Sequence, residues 1–229
     1  AASDVYKRQG VSAENGRLTG TSLLALSADE STHMLAADTS GGLHIAQTPD
    51  NVAMQTIDRT RVFSEVRFAG EESAVSLKPD DEVLAVARLL AAADTLGAAQ
   101  AMIDKAVAYA AERQQFGRVI GSFQAVKHMC AEMAARLEPS RALIWHAAHA
   151  LDMGEPEGLV MATLAKSHLA EAGTFIARTS TEVHGGMGFT DLVGLHYWFK
   201  RIGVNRQLFG SPEQCRHDAA RMQGWLQTA

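Results

Sequence analysis

The sequence predicts an α+β protein that is mainly α, with a β-rich first part followed by an antiparallel helical bundle. The periodicity of apolar residues changes once, near Ser76 to Asp80. Before that point short apolar runs alternate with turn residues, and after it apolar residues recur at three- and four-residue spacing over long segments. We therefore predict a partial β domain over residues 10 to 77 and a helical bundle domain over residues 78 to 229.

Composition excludes several other classes of protein. Of 229 residues, 47% are hydrophobic and 21% are charged, which is ordinary globular usage and excludes long disordered or collagen-like chains. With 21 Lys and Arg against 26 Asp and Glu, the net charge of −5 offers no general attraction for nucleic acid. Two cysteines, Cys130 and Cys215, form neither a disulfide framework nor a zinc ligand set. We expect a reducing compartment, hence a cytoplasmic location, and no nucleic-acid partner.

Neither a signal sequence nor a membrane span is predicted. The most apolar stretch, Val86 to Ile103, is interrupted by Arg88, Asp94 and Gln100, which indicates a core helix. Ala1 to Gln9 matches nothing that follows, and we interpret it as a non-native lead.

The first part predicts short strands joined by tight turns. Asn15-Gly16 is a hairpin turn signal, and Gly41-Gly42 and Pro49-Asp50 mark further turns. The strand candidates are Leu23 to Leu26, His33 to Ala37, Leu43 to Ala46 and a β-rich run through Val62, Glu65, Val66 and Phe68.

The second part predicts three long helices and a shorter last one. The long helices run from Asp80 to about Gln115, from Ser122 as N-cap to about Met153, and from about Glu157 to Gly185-Gly186. After an aromatic segment, His196 to Phe199, the run Ser211-Pro212-Glu213-Gln214 forms a capping box that begins the last helix.

Common catalytic and metal motifs are missing from the sequence. His146 and His149 share a helix face, but a di-metal carboxylate bundle also needs Glu-x-x-His pairs on its helices. The sequence lacks a nucleophile elbow, a Walker motif and a dinucleotide-binding glycine motif. We therefore predict no metal site and no nicotinamide site.

Three segments in the helical part carry a specific pattern. They are Tyr109-Ala-Ala-Glu-Arg113-Gln-Gln115-Phe116-Gly117, then Ile120-Gly-Ser-Phe123-Gln124-Ala-Val-Lys127-His128, then Glu182-Val-His184-Gly185-Gly186-Met187-Gly188-Phe189-Thr190. In this order and spacing they resemble the acyl-CoA dehydrogenase family, whose C-terminal bundle carries corresponding segments. The first part of the chain is similar to the latter portion of that family's middle β domain.

The resemblance implies an FAD site shared with a neighbouring subunit. Its cofactor-binding residues would be Arg113, Gln115, Phe116, Gln124, Gly185 and Gly186. Arg113 is a planar cation suited to a diphosphate, although an ion pair with Glu112 is an alternative role. Phe116 suits a purine ring or a core position, and the two glycines suit close backbone approach or a plain helix stop.

The catalytic residue is not identifiable from the sequence. Family chemistry removes the α-proton of an acyl-CoA thioester with a glutamate and transfers a hydride to the flavin. The two family positions for that base fall on Phe209-Gly210 and on Ala87 beside Arg88. The nearest acidic alternatives are Asp94, Asp191 and Glu213, and a helix N-terminus should lower the pKa of Glu213. Glu182 stands where the family usually has glutamine, and its charge would repel a phosphate.

Two hypotheses about function follow from the resemblance. In the first, the chain is a fragment of an FAD-dependent acyl-CoA dehydrogenase subunit that acts on an acyl-CoA and passes electrons to an electron-transferring flavoprotein. In the second, it is a non-catalytic partner subunit that completes the assembly and the flavin site. Both imply a homo- or hetero-oligomer.

Overall fold

A computed structural model describes residues 10–77 and 81–226. The chain divides into two compact units, residues 1–80 and residues 81–229. The suggested lead Ala1 to Gln9 and the predicted helix start at Asp80 lie outside the described residues. Among the described residues, no helix combines the length and the apolar character needed to cross a membrane.

The first unit contains an antiparallel sheet of six strands. They are β1 (Gly10–Glu14), β2 (Arg17–Leu26), β3 (His33–Ala37), β4 (Leu43–Gln47), β5 (Asn51–Met54) and β6 (Phe63–Leu77). The order is β1-β2-β6-β4-β3, with β5 also paired to β6. Asn15 and Gly16 both have positive φ, at 50° and 75°, and form the predicted two-residue turn between β1 and β2. Leu18, Val66 and Phe68 lie in the core of this unit.

The second unit is helical. Its helices are α1 (Asp81–Glu112), α2 (Gln124–Asp152), α3 (Gly158–His184), α4 (Leu195–Gln207) and α5 (Pro212–Met222). The three long helices pack on one another, with Met102, Met133, Leu137, Leu169 and Ile176 in their shared core. The mainly α fold class is therefore confirmed.

Three details of the helix prediction are wrong. The first helix ends at Glu112, because the chain then forms a small hairpin of β7 (Gln114–Gln115) and β8 (Arg118–Val119). Ser122 is not an N-cap, because its hydroxyl donates to the Val119 carbonyl within a short 3-10 helix. The sequence predicts no helix over the aromatic segment, but the structure has α4 there. This helix begins after Gly194, which has φ 68° and no side chain that could cap it.

The last helix begins as its sequence predicts. Ser211 accepts a hydrogen bond from the Gln214 backbone N–H at 3.3 Å, and Pro212 is the first helical residue. The reciprocal half of the capping box is not formed, since the Gln214 side chain donates to Asp218 instead.

Small residues allow α1, α3 and α4 to approach closely. Gly173 on α3 faces Thr95 of α1 and Ile202 of α4, and a Cβ built at Gly173 would lie 2.6 Å from the Thr95 methyl and 3.2 Å from an Ile202 methyl. Interiors packed at this density have no space for an added methyl group.

We predict that Gly173→Ala lowers the free energy of unfolding of the chain by about 1–3 kcal/mol, because overpacking forces neighbouring side chains to move. The matched control is Gly97→Ala on α1, where a built Cβ meets nothing within 4 Å. The control should be neutral or stabilising by up to about 1 kcal/mol, since alanine favours helix. Urea denaturation of both variants tests this, and equal midpoints would contradict it.

Candidate functional site

The three motif segments converge at one end of the long helices. The rings of Tyr109 on α1 and His184 on α3 stack with centroids 4.6 Å apart, which joins the first segment to the third. The first segment meets the second through the Ile120 backbone N–H, which donates to the Arg113 carbonyl at 2.7 Å. Segments that lie far apart in the sequence thus form one surface region.

The hairpin after α1 presents Phe116 to solvent. Phe116 and Gly117 form its two-residue turn with φ of 54° and 75°. Positive φ is a rare conformation for a bulky residue such as Phe116. The Phe116 side chain is 91% exposed, and its ring meets that of Phe123 in an edge-on contact with centroids 6.2 Å apart. A strained, exposed aromatic side chain indicates a contact surface rather than core packing.

Arg113 lies just beyond the end of α1 and is exposed. Within the described residues its guanidinium forms no ion pair, so the alternative pairing with Glu112 is not observed. Gln115 is exposed, and its amide donates to the neighbouring Gln114 carbonyl at 2.7 Å. Gln124 is exposed at the first residue of α2. All three side chains therefore face solvent at the same end of the unit as Phe116.

The third segment ends α3 and exposes its backbone. Gly185 caps the helix with φ 58°, and a Cβ built at Gly185 or Gly186 would meet nothing within 4 Å. His184 is buried and its Nδ1 donates to the Ser180 carbonyl at 2.7 Å, which fixes the ring against Tyr109. Glu182, which lies two residues earlier, is exposed. The glycines thus offer open backbone groups beside one negative charge.

Arg88 occupies the centre of a buried cluster that includes the Phe209 carbonyl, beside the two positions where the resemblance leads us to expect a catalytic base. Its side chain donates to the Phe209 carbonyl at 3.0 Å, to the Thr163 hydroxyl at 3.3 Å and to the Asp218 carboxylate at 2.5 Å. Arg88 is only 2% exposed. Burial tends to raise the pKa of Asp218, but hydrogen bonds from Arg88 and Gln214 outweigh it and hold that pKa below its usual value.

A second buried cation, Lys166, bonds to the loop between α4 and α5 that contains Phe209. Lys166, 1% exposed, donates to the carbonyls of Arg206 and Gly210, both at 3.2 Å. Burial lowers the pKa of Lys166. The loop itself is strained, with φ of 59° at Phe209 and 109° at Gly210, and a Cβ built at Gly210 would lie 3.3 Å from Arg88 Nη2. The loop of residues 208–211 is therefore bonded to two buried cations and contains no carboxylate of its own.

The other acidic candidates are paired with basic side chains. Asp94 accepts hydrogen bonds from the Arg201 guanidinium on both carboxylate oxygens and one from the Asn205 amide. Asp191 is exposed and lies 3.1 Å from His196. A hydrogen bond from its own backbone N–H lowers the pKa of Glu213, as the sequence predicts, and the carboxylate also lies 3.4 Å from Arg206. A carboxylate with a lowered pKa is a weaker base.

Comparison with known proteins identifies the family of the chain. Residues 80–223 match the family model described as the acyl-CoA dehydrogenase C-terminal domain. The chain belongs to the acyl-CoA dehydrogenase family. The acyl-CoA dehydrogenase IpdE2 of Mycobacterium tuberculosis is 36% identical over 159 residues, which cover 69% of this chain and 47% of that protein. The chain thus spans about half the length of the IpdE2 proteins it matches.

Two further relatives of the acyl-CoA dehydrogenase family are informative. The caffeyl-CoA reductase-Etf complex subunit CarC of Acetobacterium woodii is 37% identical over 108 residues, or 47% of this chain and 28% of CarC. A solved variant of the Tcur3481-Tcur3483 steroid ACAD superposes with a TM-score of 0.83 at 26% identity, over 94% of this chain and 62% of that chain. The fold of both units is thus an acyl-CoA dehydrogenase fold.

The sequence analysis missed the buried part of this acyl-CoA dehydrogenase unit. Arg88 interrupts an apolar stretch of the sequence, which indicates a charged side chain in a buried helix. Such a charge needs a partner. Asp218 and Thr163 lie 130 and 75 positions away, so the sequence offers no means of pairing them with it. Nothing in the sequence indicates that Lys166 is buried, because a lysine on a helix is usually exposed.

We predict that Asp218→Ala lowers the free energy of unfolding by about 3–5 kcal/mol at pH 7, because it leaves the buried Arg88 charge unpaired. The lowered pKa of Asp218 means that its stabilisation is present above the unfolded value of about 3.9 and is lost as pH falls through the folded value. The difference between wild type and variant should therefore be constant from about pH 5 to 7 and shrink below about pH 4.

Urea titrations at several pH values measure this difference. The control is Asp104→Ala on the exposed face of α1, where little change is expected. A pH-independent difference for Asp218→Ala would show that the pairing with Arg88 is not its cause.

Proposed function

We propose that this chain is part of an FAD-dependent acyl-CoA dehydrogenase subunit, acting in the α,β-dehydrogenation of an acyl-CoA thioester. The observation that carries the proposal is the convergence of the three segments around an exposed Arg113 and an exposed Phe116. Cation, aromatic ring and open glycine backbone are the three groups that a dinucleotide's diphosphate and adenosine require. Their full exposure on this chain supports a flavin held mainly by a neighbouring subunit.

The residues present fit FAD with one exception. Arg113 would pair with the diphosphate, Phe116 would contact the adenine ring, and the Gly185 and Gly186 backbone would approach the cofactor closely. Gln115 and Gln124 are exposed amides that can donate to the same group. Glu182 opposes binding, since its carboxylate adds negative charge beside a diphosphate. FAD, when bound, accepts the hydride from the substrate's β-carbon.

The partners proposed for the chain follow from its relatives. CarC is a subunit of an Etf complex, and this supports an electron-transferring flavoprotein as the electron acceptor here. The site's dependence on a neighbouring subunit requires a homo- or hetero-oligomer.

We predict that Arg113→Ala lowers flavin retention of the assembled full-length protein by about tenfold or more, because a charge-assisted contact contributes about 1.5–3 kcal/mol. The measurement is flavin absorbance per protomer after gel filtration. Lys105→Ala is the matched control, since it removes one positive charge from the exposed face of α1 away from the hairpin. Equal flavin content in Arg113→Ala and wild type would contradict the role of Arg113.

A second candidate function is that of a non-catalytic partner subunit in a hetero-oligomeric acyl-CoA dehydrogenase. The observation that favours it is the pair of empty base positions at Ala87 and Gly210. Arg88 and Lys166 already hold the Gly210 loop, so a carboxylate placed there would be paired with a cation and would lose basicity. The solved Tcur3481-Tcur3483 steroid ACAD, whose title joins two names, is consistent with such a partner.

We predict that the purified chain alone does not bleach flavin with acyl-CoA thioesters, whereas a complex with a second, glutamate-containing subunit does. A general base typically contributes about 10²- to 10⁴-fold, so its loss leaves at most a trace rate. Gly210→Glu should not restore turnover to the lone chain, because of the adjacent Arg88 and the φ of 109°.

The control for this prediction is Glu213→Gln, which should leave the activity of the complex unchanged. Bleaching by the lone chain that disappears in Glu213→Gln would identify Glu213 as the base and reject the partner-subunit function. Co-expression of the full-length gene with its neighbours would give the subunit ratio directly.

A further inference from the structure

A chain of hydrogen bonds links an acid, a histidine and a serine in the β unit. The Asp38 carboxylate lies 2.9 Å from His44 Nε2, and His44 Nδ1 lies 3.1 Å from the Ser76 hydroxyl and 3.3 Å from the Ser73 hydroxyl. His44 on β4 and Ser76 on β6 are paired residues of neighbouring strands. The sheet register therefore fixes this contact, and it is independent of the helical site.

The protons in this chain of hydrogen bonds can be assigned from its other contacts. Asp38 also accepts hydrogen bonds from the Ser40 hydroxyl, the Ser40 N–H and the Gly42 N–H, so it is ionised and His44 Nε2 is the donor to it. In neutral His44 the other nitrogen, Nδ1, is then an acceptor. Ser73 donates to the Val75 carbonyl at 2.7 Å, so the Ser76 hydroxyl has two acceptors, Ser73 Oγ and His44 Nδ1, both at 3.1 Å. Donation to Nδ1 is the arrangement in which His44 can act as a base toward Ser76.

The acid and the histidine are buried while the serine is exposed, which suits a serine nucleophile. The side chains of His44 and Asp38 are 8% and 9% exposed, whereas Ser76 is exposed. The turn that holds them has no room for a side chain at Gly42, because a Cβ there would lie 2.8 Å from an Asp38 carboxylate oxygen and 3.3 Å from His44 Nε2. The acid and base are thus fixed beneath a hydroxyl that solvent molecules can reach.

We propose that Ser76 is a nucleophile activated by His44 and Asp38, and that it accepts acyl groups from carboxylic esters or thioesters. As the Ser76 Oγ–carbon bond forms, its proton passes to His44 Nδ1 and is then delivered to the departing alcohol or thiol. Water next attacks the acyl carbon, with His44 again taking the proton, which releases a carboxylic acid and restores Ser76. Asp38 is a positioning residue that holds the tautomer of His44.

We expect slow turnover of esters and thioesters. Formation of one covalent adduct at Ser76 is therefore easier to measure than hydrolysis. General-base assistance contributes about 10²- to 10⁴-fold, and the largest further contribution in such enzymes comes from donors to the oxyanion. A fluorophosphonate probe is the sharper test, because the Ser76 Oγ–phosphorus bond replaces the phosphorus–fluoride bond and the adduct is permanent. Peptide mass spectrometry then locates it.

The experiment treats the full chain with a fluorophosphonate and follows the rate of adduct formation at Ser76. We expect labelling of the folded wild type at Ser76, loss of that adduct in Ser76→Ala, and a rate at least about 100-fold lower in His44→Gln. Ser12→Ala on β1 is the matched control, because Ser12 is an exposed serine of the same unit that bonds Thr19 and none of the three proposed residues, and it should label at Ser76 within a few-fold of the wild-type rate. Circular dichroism verifies the fold of each variant.

Wild type unfolded in urea provides a comparison that does not depend on any variant folding, and it should lose the labelling at Ser76. No adduct at Ser76 in the folded chain, or an equal rate in urea, would overturn the proposal and leave a structural hydrogen-bond network. Since none of these residues belongs to the flavin site, failure here does not affect the proposed dehydrogenase function.

Discussion

The buried guanidinium of Arg88 is the interaction on which the helical unit depends. It connects α1 to Thr163 on α3, to Asp218 on α5 and to the Phe209 carbonyl in the preceding loop. A buried charge is tolerated only where its hydrogen-bonding groups are satisfied, so these elements must occupy fixed positions around it. This polar cluster ties α5 to α1 and α3, whereas α4 packs on the long helices through Leu195 and Ile202 of the apolar core.

The same cluster explains why the 208–211 loop adopts its conformation. Phe209 and Gly210 have positive φ, which is unfavourable for a bulky side chain and persists only where surrounding contacts enforce it. Carbonyl groups accepting from Arg88 and Lys166 provide that enforcement. Phe116 and Gly117 also both have positive φ, in an exposed hairpin, yet among the described residues no buried cation holds them. The Phe209-Gly210 dipeptide is therefore fixed by buried cations, although the Phe209 side chain is 44% exposed, whereas the 91% exposed Phe116 lies in a surface hairpin.

Most of the fold could be predicted from the sequence, because its signals are local. Helix periodicity, the Asn15-Gly16 turn and the Ser211 cap act within a few residues, and all three are found in the structure. The failures have non-local or backbone causes. Helix α1 stops at Glu112 because the hairpin bond from Ile120 to Arg113 competes with another helical turn, and α4 begins without a capping side chain. The exposed site residues are identifiable from motif spacing, whereas the Arg88–Asp218 pairing depends on residues 130 positions apart.

The two ends of the helical unit differ in a way that separates binding from proton transfer. At the hairpin end, Arg113, Phe116 and the Gly185 backbone are open to a ligand that this chain does not itself enclose. At the Arg88 cluster, the loop carbonyls that could orient a base are already bonded to cations, and a carboxylate introduced there would be held as its anion with lowered basicity. This difference agrees with the proposed role of a partner subunit, in which the unit would complete a neighbour's flavin site without performing deprotonation. Under that proposal the proton is removed by a carboxylate of another subunit.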